Sequence, residues 1–400
     1  MKRKLSPVTT AVILILVLGA VLYAYTRGLL GGKQPGGAKM GGGGAMPSPP
    51  PPPMGLPTVR VSTFAGYVRP GFADGKGWEA KFNGPAGIAA APDGSLYVSD
   101  SRNHRLRRIA PDGTVTTVAG SGPTDCLPGG FADGPADQAR LFNPAGLAVA
   151  GDGTVYFADS GNHRIRKLKD GVVTTVAGCA TPQDDVGCEQ GGYRDGPATT
   201  AQFRFPAAVA LEASGAILVA DLGNGRLRRI SGATVSTVPN TPALREPTAL
   251  APGPGAALQV ADPGAGTLSE MGAAGLAIHP RSGLVPKSPT GLCPLGAGDS
   301  VVVDAEWHAI YALNGATCVL LAGVLPPAPE CGFRDGTGDV ARFSGPCAAA
   351  SIGNTLYVTD FGNNCIRAVV VPPDWATPLP PPHPRGRGFR HRREGDRSAD

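Results

Sequence analysis

The sequence predicts an all-β protein made of six copies of one short unit. An aspartate recurs six times, at spacings between 41 and 62 residues. An apolar residue stands two positions before each aspartate, and another stands six positions after it. Units of about 40 residues or more that repeat along a chain are typical of repeat architectures. The six anchor aspartates are Asp100, Asp159, Asp221, Asp262, Asp304 and Asp360.

Each copy reads as four short strands. Leu96 and Val98 precede the first anchor with period two, the pattern of a half-buried strand. An asparagine three residues after the anchor, present in four copies, favours a turn because Asp and Asn bond nearby backbone groups. A further strand follows at 104–107, another at 114–120, and a short apolar run begins at Pro85. Six such units predict a six-bladed β-propeller over residues 59–371.

Several motifs of the unit resemble the NHL repeat family. They are residues 103–107 (Asn-His-Arg-Leu-Arg), residues 162–166 (Asn-His-Arg-Ile-Arg), and the Pro-Ala-Gly and Thr-Val-Ala-Gly elements. Blades 4 and 5 depart from the pattern, since Ala265 and Trp307 replace the asparagine. The resemblance implies a propeller of the NHL/TolB-like type.

Residues 59–66 predict a lone strand outside the six copies. The sixth copy, which ends near Val371, has three strands and lacks a fourth. We expect the N-terminal strand to complete blade 6 and close the ring, since closure removes an exposed sheet edge.

The N-terminal segment 1–30 predicts a transmembrane helix. Its mainly apolar stretch from Val8 to Tyr25 has eighteen residues, which as a helix would span about 27 Å, near the thickness of a bilayer core. The basic residues before it place the propeller outside the cytoplasm, in the periplasm or at the cell surface. The alternative is a cleaved signal peptide, which would make the protein secreted. Residues 31–57 read as a Gly/Pro-rich linker, and residues 376–400 as a disordered Pro/Arg-rich tail.

Four copies carry an insert before their first strand. Strand direction alternates within a blade, so the inserts and the turns after the anchors share one face, here called the insert face. Loops on a rigid scaffold commonly carry binding residues. The alternative is that the inserts brace neighbouring blades. The predicted contact residues are Phe72, Asp74, Phe131, Asp133, Tyr193, Arg194, Asp195, Phe333, Arg334 and Asp335. Each insert also contains a phenylalanine eight or nine residues after its aspartate: Phe82, Phe142, Phe203 and Phe343.

Charge and residue types restrict the function. Residues 1–58 carry +6 and the tail +3, which leaves −4 on the ring out of a total of +5. A net-acidic ring argues against nucleic acid as a partner. We expect no metal and no cofactor, because the anchors lie around a ring rather than converging. The paired arginines after the anchors, such as Arg105 and Arg107, are expected to meet carboxylates of a neighbouring blade, or else to form a basic binding arc.

Eight cysteines fit an oxidising compartment. Cys179 and Cys188 flank one insert and form the predicted disulfide, and Cys331 with Cys347 is a second candidate pair.

Together these features predict an exported, membrane-tethered propeller that binds a protein or an envelope polymer without catalysis. The alternative is a metal-dependent hydrolase or lyase, of the lactonase or amidating-lyase kind, with its site at the channel mouth.

Overall fold

The structure, a computed structural model, describes most of the predicted ring. The described residues are 59–124, 129–179, 191–241, 244–252, 257–272, 275–278, 282–283, 285–295, 299–314, 317–324 and 330–372. The predicted membrane segment, the linker, the basic tail and Cys188 lie outside them. Within the described ranges, no helix is both long and apolar enough to cross a bilayer.

Short strands make up nearly all the regular structure. In chain order they are β1 (Arg60–Gly66), β2 (Gly75–Lys76), β3 (Pro85–Ala90), β4 (Leu96–Asp100), β5 (Arg105–Ile109), β6 (Thr114–Ala119), β7 (Gly134–Pro135), β8 (Pro144–Val149), β9 (Val155–Asp159), β10 (Arg164–Lys169), β11 (Val172–Ala177), β12 (Gly196–Pro197), β13 (Pro206–Leu211), β14 (Ile217–Asp221), β15 (Arg226–Ser231), β16 (Thr234–Thr237), β17 (Ala249–Pro252), β18 (Leu258–Asp262), β19 (Thr267–Gly272), β20 (Gly275–Ile278), β21 (Ser282–Gly283), β22 (Pro289–Leu295), β23 (Asp299–Asp304), β24 (Ala309–Asn314), β25 (Thr317–Ala322), β26 (Gly336–Thr337), β27 (Pro346–Ile352), β28 (Thr355–Asp360) and β29 (Cys365–Val370). Single 3₁₀ turns occupy Gly77–Glu79, Ser101–Asn103, Ser160–Asn162, Leu222–Asn224 and Phe361–Asn363.

These strands form six sheets, one per predicted blade, and the four main strands of each sheet are antiparallel. Blades 1 to 5 are β3–β6, β8–β11, β13–β16, β17–β20 and β22–β25. Blade 6 consists of β27, β28 and β29 with β1 as its fourth strand. The all-β six-bladed propeller predicted from the repeats is therefore confirmed.

The ring is closed as the sequence predicts. Strand β1 pairs antiparallel with β29, with Arg60 opposite Val370 and Gly66 opposite Cys365. Two of its apolar side chains, Val61 and Ala65, are buried. The first and last strands of the chain thus share one blade.

Each insert follows a path that the repeat spacing does not predict. It crosses to the outer edge of the blade that it precedes and adds a two-residue fifth strand there, as when Gly75 pairs with Val115 of β6. Strands β7, β12 and β26 do the same in blades 2, 3 and 6. Blade 5 also has a fifth strand, β21, which runs parallel to β25. The junction before blade 5 therefore contributes to its sheet, although the sequence predicts no insert there.

The apolar residues that define the repeat form the core between the sheets. The twelve side chains at two before and six after the anchors are all buried: Val98, Phe157, Val219, Val260, Val302 and Val358, with Leu106, Ile165, Leu227, Leu268, Ile310 and Ile366. Around the central channel the first strands approach closely. A Cβ on Gly87 would lie 2.4 Å from the carbonyl oxygen of Ala145 in the next blade, which explains the glycine of the Pro-Ala-Gly element.

Candidate functional site

The six anchor aspartates are buried, and four of them bind three elements of their own blade at once. Asp100 Oδ1 accepts a hydrogen bond from the backbone N–H of Asn83, ahead of the first strand, at 2.8 Å. Its Oδ2 accepts from Asn103 Nδ2 at 2.9 Å and from Arg107 Nη1 at 2.7 Å. Burial raises the pKa of Asp100 to about 6, against the lowering effect of Arg107 and the two hydrogen bonds. Asp159, Asp221 and Asp360 have the same surroundings.

The insert aspartates bind the same buried arginines from the outer side. Arg107 Nη2 donates to Asp74 Oδ1 at 2.7 Å. Thr117, on the fourth strand, donates its backbone N–H to Asp74 Oδ2 at 3.0 Å. Burial alone would raise the pKa of Asp74, but the bonds from Thr117 and the charge of Arg107 hold it below its ordinary value. The matching pairs are Asp133 with Arg166, Asp195 with Arg228, and Asp335 with Arg367.

These contacts correct one expectation from the sequence. The arginines lie on the third strand as predicted, but their carboxylate partners belong to the same blade rather than to a neighbouring one. In the sequence, the insert aspartate and the arginine that it binds occur together in the same blades. The four blades whose insert holds an aspartate have an arginine seven residues after the anchor, whereas blades 4 and 5 have Ser269 and Tyr311 there.

Aromatic rings cover these arginines on both sides. Arg107 lies with its guanidinium carbon 5.0 Å from the ring centres of both Phe72 and Phe82. Blades 3 and 6 repeat this sandwich with Tyr193 and Phe203 on Arg228, and with Phe333 and Phe343 on Arg367. In blade 2 the buried residue at the inner position is Leu141. Phe142, which the spacing selected, instead packs edge-on against His104 at 5.4 Å.

The outer rings keep a large part of their surface in solvent. The exposed fraction is 41% for Phe72, 40% for Phe131, 49% for Tyr193 and 39% for Phe333. Because blades 6, 1, 2 and 3 are neighbours in the ring, the four rings form one arc, here called the aromatic arc. Tyr67 extends it, since its ring lies 6.4 Å from that of Phe333. Tyr67 lies outside the repeat, so no periodic signal marks it.

Histidines of the turns connect neighbouring blades. The Nδ1 atoms of His104, His163 and His308 accept hydrogen bonds from the backbone N–H groups of Asn143, Phe205 and Gly345 in the next blade, at 3.0–3.1 Å. Asn364 makes the same contact to Gly84 across the closure. His308 stands four residues after its anchor like the other two, a match hidden by the loss of the surrounding motif in blade 5.

The central channel has an apolar wall. A cavity of about 140 Å³ is lined mainly by alanine, glycine and aliphatic residues of the first strands. Among the described residues that line it, Cys347 is the one titratable side chain. The described residues also contain no group of three or more His, Cys, Asp or Glu arranged to hold a metal ion.

The cysteine predictions have separate outcomes. Cys331 is exposed and Cys347 is buried, and both are free thiols, so that candidate disulfide is wrong. Cys188 lies outside the described residues, so its pairing with Cys179 stays a prediction.

Comparisons with known proteins agree with this architecture. The NHL repeat profile matches residues 82–109 and 143–168. Protein SUPPRESSOR OF QUENCHING 1, chloroplastic, of Arabidopsis thaliana is 32% identical over 171 residues, which are 39% of this chain and 16% of that protein. Teneurin-m of Drosophila melanogaster is 40% identical over 103 residues, 23% of this chain and 4% of its own length. The chain thus spans a small part of the curated relatives that it matches.

A solved structure shows the same fold at low sequence identity. A gluconolactonase from Xanthomonas campestris superposes with a TM-score of 0.53 at 14% identity, and the match covers 79% of this chain and 91% of that chain. The identity is too low for this likeness to show more than the fold. On its motifs, its profile matches and its architecture, the chain carries NHL repeats arranged as a six-bladed β-propeller.

Proposed function

We propose that this chain is an exported, membrane-tethered and non-catalytic binding scaffold that takes up a partner protein on its insert face. The observation that carries the proposal is the aromatic arc. Four outer rings are held in place by buried arginines, yet each keeps 39–49% of its surface in solvent. Rigid aromatic side chains lose little conformational entropy on binding and are enriched, with arginine, at the centres of protein interfaces.

The strand directions support a free insert face. Arg60 and Val370 are paired at the end of blade 6 where β28 begins with Thr355. The anchor Asp360 lies at the opposite end of β28, on the insert face. Residues 59 and 372, the two ends of the described ring, therefore lie on the side opposite the aromatic arc. A tether on that side would leave the arc accessible to a partner.

The insert aspartates do not make a good test of binding. Asp133, Asp195 and Asp335 each pair with a buried arginine, so alanine there would disturb the blade as well as the surface. The aromatic positions are better probes. We would place the photo-crosslinking residue benzoylphenylalanine at Phe131 or Tyr193 in the full-length chain. Val172 and Val370, each 41% exposed and located at the opposite edge of the ring, are matched control positions.

We expect irradiation of cells to give one discrete adduct of the same mass from Phe131 and Tyr193, and none from the two valines. Adducts of equal yield from all four positions, or none from the arc, would refute the proposal. A smeared, protease-resistant adduct would instead identify an envelope polymer, the other ligand class expected from the sequence.

A further inference from the structure

Some arginines on the insert face are paired with carboxylates, and others are not. The four insert aspartates are engaged by buried arginines, which neutralise them. Other arginines on this face are exposed and make no ion pair with any described carboxylate. Their densest group is in blade 3, where Arg194, Arg204 and Arg226 are exposed. These three residues are here called the blade 3 arginine cluster. The ring as a whole has a net charge of −4, so this cluster is a positively charged patch on a net-acidic domain.

One member of the cluster contacts a ring of the aromatic arc, and the other two lie on the same insert or at the residues that flank it. The guanidinium carbon of Arg226 lies 5.2 Å from the ring centre of Tyr193. Arg204 lies against Gly191 and Gly223, since a Cβ on either glycine would come within 2.8 Å of its side chain. Arg194 directly follows Tyr193 in the insert.

A comparison between blades explains why Arg226 is exposed. Its counterpart in blade 1, Arg105, is buried and donates to the carbonyl oxygens of Asn103, Ser121 and Gly122 at 3.0, 3.1 and 2.7 Å. Ser121 and Gly122 belong to the junction that leads into the next insert. Blade 3 is followed by a junction without an insert, and the side chain of Arg226 donates no hydrogen bond to the described residues. Its guanidinium N–H groups therefore face solvent.

We propose that the blade 3 arginine cluster binds an acidic segment of the partner protein, with Tyr193 packing against an apolar side chain of that segment. This rests on the proposed function. Guanidinium groups bind carboxylates through two parallel charge-assisted hydrogen bonds. Three exposed guanidinium groups that make no ion pair with a described carboxylate offer such bonds, and Tyr193 offers an apolar contact beside Arg226. The cost of ordering the ring is low because Arg226 and Arg228 already hold it.

The test uses fluorescence anisotropy with the full-length chain and a labelled peptide that alternates glutamate with phenylalanine. A peptide with glutamine in place of glutamate is the neutral control. The variant R194Q/R204Q/R226Q removes the cluster. The variant R60Q/K167Q/K169Q removes the same charge from positions away from the insert face. Circular dichroism melts would verify that both variants are folded.

We expect the acidic peptide to bind and the glutamine peptide not to bind. The cluster variant should weaken binding at least about tenfold, the control variant less than about twofold, and added salt should weaken it further. Equal binding of the two peptides, or equal loss in both variants, would overturn the proposal. Binding of inorganic polyphosphate without binding of the acidic peptide would overturn it in favour of a phosphate polymer. If crosslinks from Phe131 persist in the cluster variant while peptide binding never occurs, the proposed function survives and only this inference fails.

Discussion

At the scale of single residues, the four buried arginines join the anchor to the insert. Arg166 is fully buried and lies between Asp159, also fully buried, and the partly exposed Asp133. The apolar positions of the repeat were predictable because their periodicity is local. The Arg166–Asp133 pair was not, since the partners are 33 residues apart and nothing local shows the path of the insert.

We expect Asp159→Asn to lower the free energy of unfolding by about 3 kcal/mol, because it leaves a buried guanidinium without its buried partner. Urea denaturation followed by circular dichroism would measure the loss. Asp152→Asn is the matched control, because Asp152 forms an ion pair with Lys169 in which both side chains are exposed. A midpoint shift of equal size in both variants would contradict the structural role of the buried pair.

The turn histidines give a prediction that concerns pH. Burial lowers the pKa of His308, and the Glu306 carboxylate opposes this only in part. Its Nδ1 accepts a hydrogen bond, so the folded state needs the neutral ring. The unfolded chain then binds the proton more readily than the folded one. The contribution of His308 to stability is complete above about pH 6.5 and falls below it, by up to about 1.4 kcal/mol per pH unit for one proton.

Asparagine in place of the histidine would keep an acceptor for the backbone N–H of the next blade but would not titrate. Asn364 already accepts the corresponding bond at the closure, with φ near 53°, so asparagine suits this position. In His308→Asn, thermal melts between about pH 7 and pH 5 should show a smaller loss of melting temperature than in the parent. A parent and variant with identical pH slopes would contradict this account.

At the scale of elements, strand existence was predictable and strand partnership was only partly so. The period-two pattern and the glycine turns locate the four main strands of a blade such as β3–β6. The two-residue edge strands carry no pattern of their own, since β2 is only Gly75-Lys76. The inserts are therefore part of the blades and not separate loops. Binding on the insert face must use the outer surface of the inserts, which leaves the exposed rings and the blade 3 arginine cluster as contacts.

At the scale of the whole molecule, closure depends on one strand that comes from the other end of the ring. Strand β1 contributes buried Val61 and Ala65 to blade 6, and Thr63 donates its backbone N–H to Asp335 at 3.1 Å. Removing it would expose β29 along its length and would take one partner from the Asp335–Arg367 pair. The resulting open edge would also be able to pair with another chain.

We therefore expect deletion of residues 59–66 to abolish the single cooperative melt and to promote association. Differential scanning calorimetry and light scattering would measure these two effects. Deletion of residues 376–400 is the control, because it shortens the chain without removing a described strand, and it should melt like the parent. If the 59–66 deletion also melted like the parent, the ring would hold together without β1. In that case the interfaces between neighbouring blades, such as those bridged by His104 and His163, would have to supply the cooperativity of the ring on their own.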